Sequence, residues 1–162
     1  MSRHDAVVAW TLRPEDDFLA GHYSREHTIA FDGGLSIPGS ASPSVVRAPW
    51  SEPAAADPEE LLVAALSSCQ MLWFLDFAKH AGVTVRSYRD AAQARMGKMP
   101  SGRIGLVECV LRPQVEADAS PETLLALHHK AHGACNIANS VVTDVRVEPV
   151  DAHQHEPALQ GA

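Results

Sequence analysis

Three cysteines, Cys69, Cys109 and Cys135, are the residues of this 162-residue chain best suited to covalent chemistry. A thiolate is a nucleophile and a metal ligand, and its surroundings decide how readily the thiol loses its proton. Cys69 follows two serines inside an apolar segment, so it is either a small core residue or, if a cation reaches it from elsewhere, a reactive thiolate. A helix would not activate it from within, because the helix dipole fades beyond the first turn.

The other two cysteines have different predicted settings. Cys135 follows Gly133 and Ala134 and opens the segment CNIANSV, which we interpret as a short helix. Unpaired backbone N–H groups at a helix start would favour a reactive thiolate there, and a small residue filling a helix junction is the other interpretation. Cys109 lies in the segment IGLVECVL, so we expect it in the core of a strand.

Histidines near Cys135 suggest a rival site. His128 and His132 are four residues apart and would share one side of a helix, which is a spacing that can bind zinc. However, we expect Gly133 to end that helix before Cys135, and no second cluster with zinc spacing occurs in the sequence. We therefore expect neither a metal nor another cofactor, and a histidine metal site is kept as the less favoured alternative.

Composition excludes several classes of protein. With 46% apolar and 20% charged residues, the chain fits one globular domain rather than a disordered or fibrous protein. A net charge of −7 argues against nucleic acid or an anionic membrane as the partner. An odd, small number of cysteines and no apparent signal peptide favour the cytoplasm. Polar residues interrupt the apolar stretch 61–78, so we expect no membrane span.

One long helix must position Cys69. Asp57 can cap its start, Pro58 to Glu60 suit its first turn, and we expect it to end near His80 before Gly82. Its apolar residues extend nearly all the way round, so the helix needs cover on most sides. Ten residues separate Glu59 from Cys69, roughly 15 Å along a helix, so a site that contains both would need a second subunit.

The remaining segments predict an α+β fold, with antiparallel sheets packed around that long central helix. Five prolines between Ile37 and Glu59 exclude a helix or a central strand there. We expect a single domain over residues 1–150 and a polar tail over 151–162. The expected strands are 6–12, a hairpin over 27–37 that turns at Asp32-Gly33-Gly34, an antiparallel pair over 83–96 and 104–116, and a last strand over 141–147. We expect a second helix over 124–132, with an N-terminal cap at Ser120 and its end at Gly133.

These features together resemble a known family. The helix start Pro58-Glu59-Glu60-Leu61, the small and apolar residues up to Ser68-Cys69, and a second cysteine 66 residues later resemble the OsmC/Ohr family of thiol-dependent hydroperoxide reductases. The stretches YSREHTIAFDGG and LLVAALSSCQMLWFL are more similar to its OsmC-like branch. The resemblance covers about residues 6 to 150 and implies an intertwined homodimer with active sites at the subunit interface.

The resemblance also implies roles for individual residues. Cys69 matches the peroxidatic cysteine, Cys135 the resolving cysteine, and Glu59 the acid that positions an arginine beside the thiolate. Arg25 matches that arginine, with Arg47 as the alternative. The implied activity is reduction of organic hydroperoxides, and more weakly of hydrogen peroxide, in defence against oxidative stress. It would proceed through a Cys69 sulfenic acid and a Cys69–Cys135 disulfide that a lipoyl-type dithiol reduces. The alternative is an OsmC-like protein that binds a small ligand and whose cysteines are structural.

Overall fold

A computed structural model describes residues 2–151 of the chain. These residues divide into two compact units, one up to Leu61 and one from Leu62 onwards. All but the first residue of the predicted tail 151–162 lies outside the described residues. A single domain over 1–150 stays a prediction, and the two units are described separately.

The first unit contains a three-stranded antiparallel sheet in the order β1-β2-β3. Its strands are β1 (Ala6–Ala9), β2 (His27–Phe31) and β3 (Ser36–Gly39). The predicted hairpin is confirmed, and Gly34 supplies the positive φ of its turn, at 87°. Pro38 lies within β3, which is tolerated because β3 is an edge strand.

Helix α1 (Pro58–His80) joins the two units and has the predicted bounds. Its start is a capping box: the Glu60 N–H donates to Asp57 Oδ1 at 2.7 Å, and the Asp57 N–H donates to Glu60 Oε2 at 3.1 Å. Its end is fixed by Gly82, whose φ of 71° reverses the chain. Local capping chemistry therefore defines both ends of the helix that carries Cys69.

The burial of α1 follows one narrow stripe. Leu66, Gln70, Phe74 and Ala78, one residue per turn, are its buried side chains, whereas Leu72 is 59% exposed. By length and hydropathy alone α1 could cross a membrane, a test that core helices of soluble proteins also pass. Only 22% of its most apolar window is buried within the chain. Much of the apolar surface of α1 is thus not covered by residues 2–151.

Four strands of the second unit correct the prediction of two long ones. They are β4 (Val85–Asp90), β5 (Gln93–Lys98), β6 (Ile104–Leu111) and β7 (Pro113–Ala117). The antiparallel pairing is right, but it is divided between two sheets: β4 pairs with β7, and β5 with β6. Arg112 lies between β6 and β7, and its N–H donates to the side chain of Asp90 at 2.6 Å rather than to a backbone carbonyl of a neighbouring strand. A side chain that accepts a hydrogen bond from a backbone N–H interrupts the backbone pairing between strands. The alternation of apolar and polar residues does not reveal such an interruption.

The last third of the chain forms helix α2 (Pro121–Ala134), a 3₁₀ turn (Ala138–Ser140) and strand β8 (Asp144–Val147). Gly133 does not end α2 as expected; the helix continues to Ala134, and the N–H of Cys135 donates to the carbonyl of His132 at 3.2 Å. Strand β8 is shorter than predicted and pairs in parallel with β6, so this sheet is mixed rather than wholly antiparallel. The connection through β7 and α2 returns the chain to β6 in the same direction.

Two apolar clusters fill the second unit, and α1 contributes to both. Phe74 and Ala78 pack against Leu127 and Ala131 of α2. Leu66 packs with Cys109 and Leu111 of β6. Cys109 is fully buried, which confirms its predicted place in the core, and burial raises its pKa to about 11, with a smaller contribution from Asp90.

Candidate active site

The fold brings two of the three cysteines together. Cys69 lies in the middle of α1 and is half-buried, and Cys135 lies directly after α2 and is only 1% exposed. The two thiols lie close enough that Cys69 contributes to the raised pKa of Cys135. Both are free thiols. Packing of α2 on α1 therefore joins two residues that are 66 positions apart in the sequence.

The surroundings of Cys135 keep it protonated. Burial is the largest influence on its pKa, which rises to about 11, and the neighbouring Cys69 thiol raises it further. The Ala138 N–H donates to its Sγ at 3.4 Å and opposes this rise without reversing it. Of the two interpretations of Cys135, activation at a helix start is not favoured, because Cys135 lies at the buried end of α2 and loss of solvation outweighs the backbone donors of Ala138 and Ile137.

Helix α2 is attached to α1 next to Cys69. The Gln70 side chain donates from Nε2 to the carbonyl oxygen of His128 at 3.1 Å. The His128 ring stacks on Phe74 with ring centroids 4.2 Å apart and planes inclined by 24°. Gln70 and Phe74 are one helical turn apart on α1. Gln70 contacts the backbone of His128, and Phe74 contacts its ring.

Among the histidines on α2, His128 makes an aromatic contact with Phe74. His128 is 1% exposed, and burial, with a smaller effect of His129, lowers its pKa to about 4. Its imidazole is therefore neutral at physiological pH. Within residues 2–151, no group of three His, Cys, Asp or Glu side chains is arranged to hold a metal ion.

The expected acid and arginine belong to the first unit. Glu59 is half-buried in the first turn of α1, and no side chain between residues 2 and 151 hydrogen bonds or ion pairs with it. The guanidinium of Arg25 donates to the carbonyls of Gly21, at 3.0 Å, and Tyr23, and it lies 3.6 Å from the Tyr23 ring centroid. Arg47 is exposed. The described part of one chain therefore does not pair either arginine with Glu59.

Sequence reasoning singled out His128 as a candidate metal ligand but missed the buried polar groups of Gln70 and Tyr88. Gln70 Oε1, the Tyr88 hydroxyl and His128 Nδ1 are buried without hydrogen-bond partners among the described residues. Gln70 carries the clearest sequence signal, since it is a large polar residue directly after Cys69 in a mostly apolar segment. Tyr88 carries no such signal, because alternation alone does not show whether its hydroxyl finds a partner.

Comparison with known proteins places the chain in a family. A model of the family described as OsmC-like protein matches residues 51–150. An OsmC-like protein of unknown function from Vibrio cholerae is 45% identical, covering 93% of this chain and all of its own, with a TM-score of 0.89. Two organic hydroperoxide resistance proteins share the fold. That of Elizabethkingia anophelis is 19% identical, with 95% of this chain and 98% of its own covered and a TM-score of 0.69. That of Bacillus subtilis is 17% identical, with 92% of this chain and 98% of its own covered and a TM-score of 0.65. A search of curated proteins gave no match. The chain belongs to the OsmC-like protein family.

Proposed function

We propose that this protein is a cytoplasmic cysteine-based peroxidase that reduces organic hydroperoxides, and hydrogen peroxide more weakly, in defence against oxidative stress. The observation that supports this most is the pair of thiols with unequal exposure: half-buried Cys69 beside fully buried Cys135. A peroxide must reach the first thiol, and the second must wait within bonding distance but outside solvent. The similarity in fold to two hydroperoxide resistance proteins is consistent with this activity.

In the first step, the Cys69 thiolate attacks the peroxide. An S–O bond forms and the O–O bond breaks, so the sulfur loses two electrons and the hydroperoxide is reduced to an alkoxide that leaves as the alcohol after taking a proton. Cys135 does not compete for the peroxide, because its raised pKa of about 11 leaves little thiolate at neutral pH.

In the second step, the Cys135 sulfur attacks the Cys69 sulfenic acid. An S–S bond forms, the S–O bond breaks, and the hydroxide leaves as water with the Cys135 proton. An external dithiol of the lipoyl type then attacks the disulfide, and a second exchange releases the oxidised dithiol and both protein thiols. Because Cys69 is the more exposed sulfur, we expect the dithiol to attack there.

Glu59 and Arg25 enter this proposal through a second copy of the chain. Along α1, Glu59 lies ten residues from Cys69, about 15 Å by helical rise, so the two side chains of one helix do not meet. The uncovered apolar surface of α1 favours a homodimer. In it, Glu59 of one copy orients Arg25, or alternatively Arg47, so that the guanidinium stabilises the Cys69 thiolate of the other.

The test is to reduce the protein, add one equivalent of cumene hydroperoxide or hydrogen peroxide, count free thiols, and map disulfides by peptide mass spectrometry. We expect loss of two thiols per chain, a Cys69–Cys135 link, and a faster reaction with the organic peroxide. Cys109→Ser is the matched control and should behave as the parent does, because Cys109 is fully buried in a cluster that contains neither Cys69 nor Cys135. Survival of all three thiols would refute the proposal and favour the ligand-binding alternative.

Single cysteine variants separate the two roles. Cys69→Ser should abolish peroxide turnover, whereas Cys135→Ser should permit one oxidation and then stall or over-oxidise. Turnover by Cys69→Ser at the parent rate would show that the assignment is wrong. Arg25→Ala should slow oxidation of Cys69, because loss of the guanidinium leaves less thiolate, and Arg47→Ala tests the alternative arginine in the same assay. Analytical ultracentrifugation of the parent protein tests the dimer.

A further inference from the structure

We propose that Gln70 is a positioning residue that sets the approach of Cys135 to Cys69 by fixing helix α2 against helix α1. This inference rests on the proposed function for its catalytic meaning, while the contact on which it depends is a feature of the second unit alone. Gln70 directly follows Cys69, and its side chain donates to the backbone of α2, the helix that Cys135 ends.

Stability alone does not explain a glutamine at this position. Gln70 is fully buried on the α1 stripe whose other members, Leu66, Phe74 and Ala78, are apolar. The Gln70 Nε2 donates a hydrogen bond to the His128 carbonyl at 3.1 Å, while Oε1 is buried without a hydrogen-bond partner among residues 2–151. A buried acceptor that lacks a hydrogen bond costs about as much as one bond contributes, so an unbranched apolar side chain would stabilise the fold equally or better. Buried polar groups of this kind are best attested as devices that fix register.

The contact geometry is suited to that task. Gln70 contacts the His128 carbonyl, and Phe74, one turn further along α1, stacks on the His128 ring at 4.2 Å. Two contacts on one residue of α2 restrain both the sliding of α2 along α1 and its rotation. Cys135 is seven residues after His128, close to two full turns, so it returns to the same side of α2. The register at Gln70 and His128 is therefore transmitted over two turns to the thiol pair.

Disulfide formation is sensitive to that register. The Cα atoms of a disulfide lie about 4.4–6.8 Å apart, and small misplacements of reacting groups slow a reaction strongly. If α2 is less restrained, Cys135 meets the Cys69 sulfenic acid less often. The sulfenic acid then survives longer and is more exposed to a second peroxide, which converts it to the irreversible sulfinic acid.

The experiment compares Gln70→Met with the parent protein in dithiothreitol redox buffers without peroxide, which measures the effective concentration of the Cys69–Cys135 pair. Methionine keeps the unbranched length and the helix propensity while removing the hydrogen bond. We expect a decrease of about threefold to tenfold in effective concentration, the equivalent of one net hydrogen bond. In urea unfolding, the reduced variant should be as stable as the parent or more stable. Gln70→Leu is the second variant should methionine fail to fold.

Two controls identify a merely structural effect. His128→Phe keeps the carbonyl acceptor and an aromatic ring on Phe74, so it should retain the parent effective concentration. Val115→Ala removes apolar packing from β7 in the same cluster and should lower stability without altering the thiol pair. An unchanged effective concentration in Gln70→Met would overturn the inference, as would an equal loss in Val115→Ala. A parent disulfide that forms in the buffer but never with peroxide would refute the peroxidase proposal alone. No Cys69–Cys135 disulfide in either condition would refute both.

Discussion

The reactivity of Cys135 towards an alkylating reagent provides a direct test of the thiol-pair geometry. Burial, reinforced by the adjacent Cys69 thiol, raises the pKa of Cys135 from 9.0 to about 11. At any pH below 9, two pKa units correspond to about a hundredfold smaller thiolate fraction than in an ordinary thiol, and alkylation requires the thiolate. We therefore expect native Cys135 to react with iodoacetamide at least about a hundredfold more slowly than a reference peptide thiol, because burial also restricts access, and its rate to rise about tenfold per pH unit between pH 7 and 10.

The assay is timed labelling of the native, reduced protein, followed by quantification of each cysteine peptide by mass spectrometry. Cys109 is an internal control, because burial raises its pKa to about 11 as well, whereas half-buried Cys69 should label first. In Cys69→Ser, Cys135 should label somewhat faster, since one of the groups that raise its pKa is gone while burial remains. Labelling of Cys135 at the reference rate at pH 8, or a rate that levels off below pH 9, would refute the reasoning.

Three further predictions concern stability. His128 has a pKa of about 4 in the fold against 6.5 in the unfolded chain, so the unfolded chain binds the proton first as the pH falls. The free energy of unfolding should therefore decrease between pH 6.5 and pH 4, by up to about 3 kcal/mol. Urea titrations of His128→Phe should lack this loss. Tyr88→Phe should raise the free energy of unfolding by up to about 1 kcal/mol, because it removes a buried hydroxyl without a partner among residues 2–151. An equal or lower melting temperature would contradict that. Asp57→Ala should cost about 1 kcal/mol through loss of the bond to the Glu60 N–H, measured against Glu15→Ala at an exposed position as a control.

Local sequence signals predicted the parts of the fold that local chemistry controls. The bounds of α1 follow from the capping box at Asp57 and the positive φ of Gly82, and both were legible from residue types. The division of the predicted strand pair over 83–116 into two sheets could not be inferred from residue types, because it depends on a hydrogen bond from the Arg112 N–H to Asp90, 22 residues away. The end of α2 was misplaced for a related reason: Gly133 adopts a negative φ there, and the cap falls to Cys135.

For the candidate site, the sequence supplied the residues and the fold supplied their environments. The family resemblance, carried by the cysteine spacing and the helix start at Pro58, indicates Cys69 and Cys135 as the pair of interest. The direction of the Cys135 pKa shift could not be predicted, because it depends on how completely α1 and the turn after α2 exclude solvent. The contact between Gln70 and His128 joins residues 58 positions apart and has no local signature.

The sequence by itself determined the bounds of α1, the first hairpin, the identity of the thiols and the family resemblance, because helix caps, turn glycines and apolar spacing act over a few residues. Only the tertiary structure decided that Cys135 lies beside Cys69, that it is buried and protonated, and that Gln70 fastens the two helices. These are properties of long-range packing: burial and hydrogen bonding between α1 and α2 depend on which surfaces meet, and no single segment specifies that.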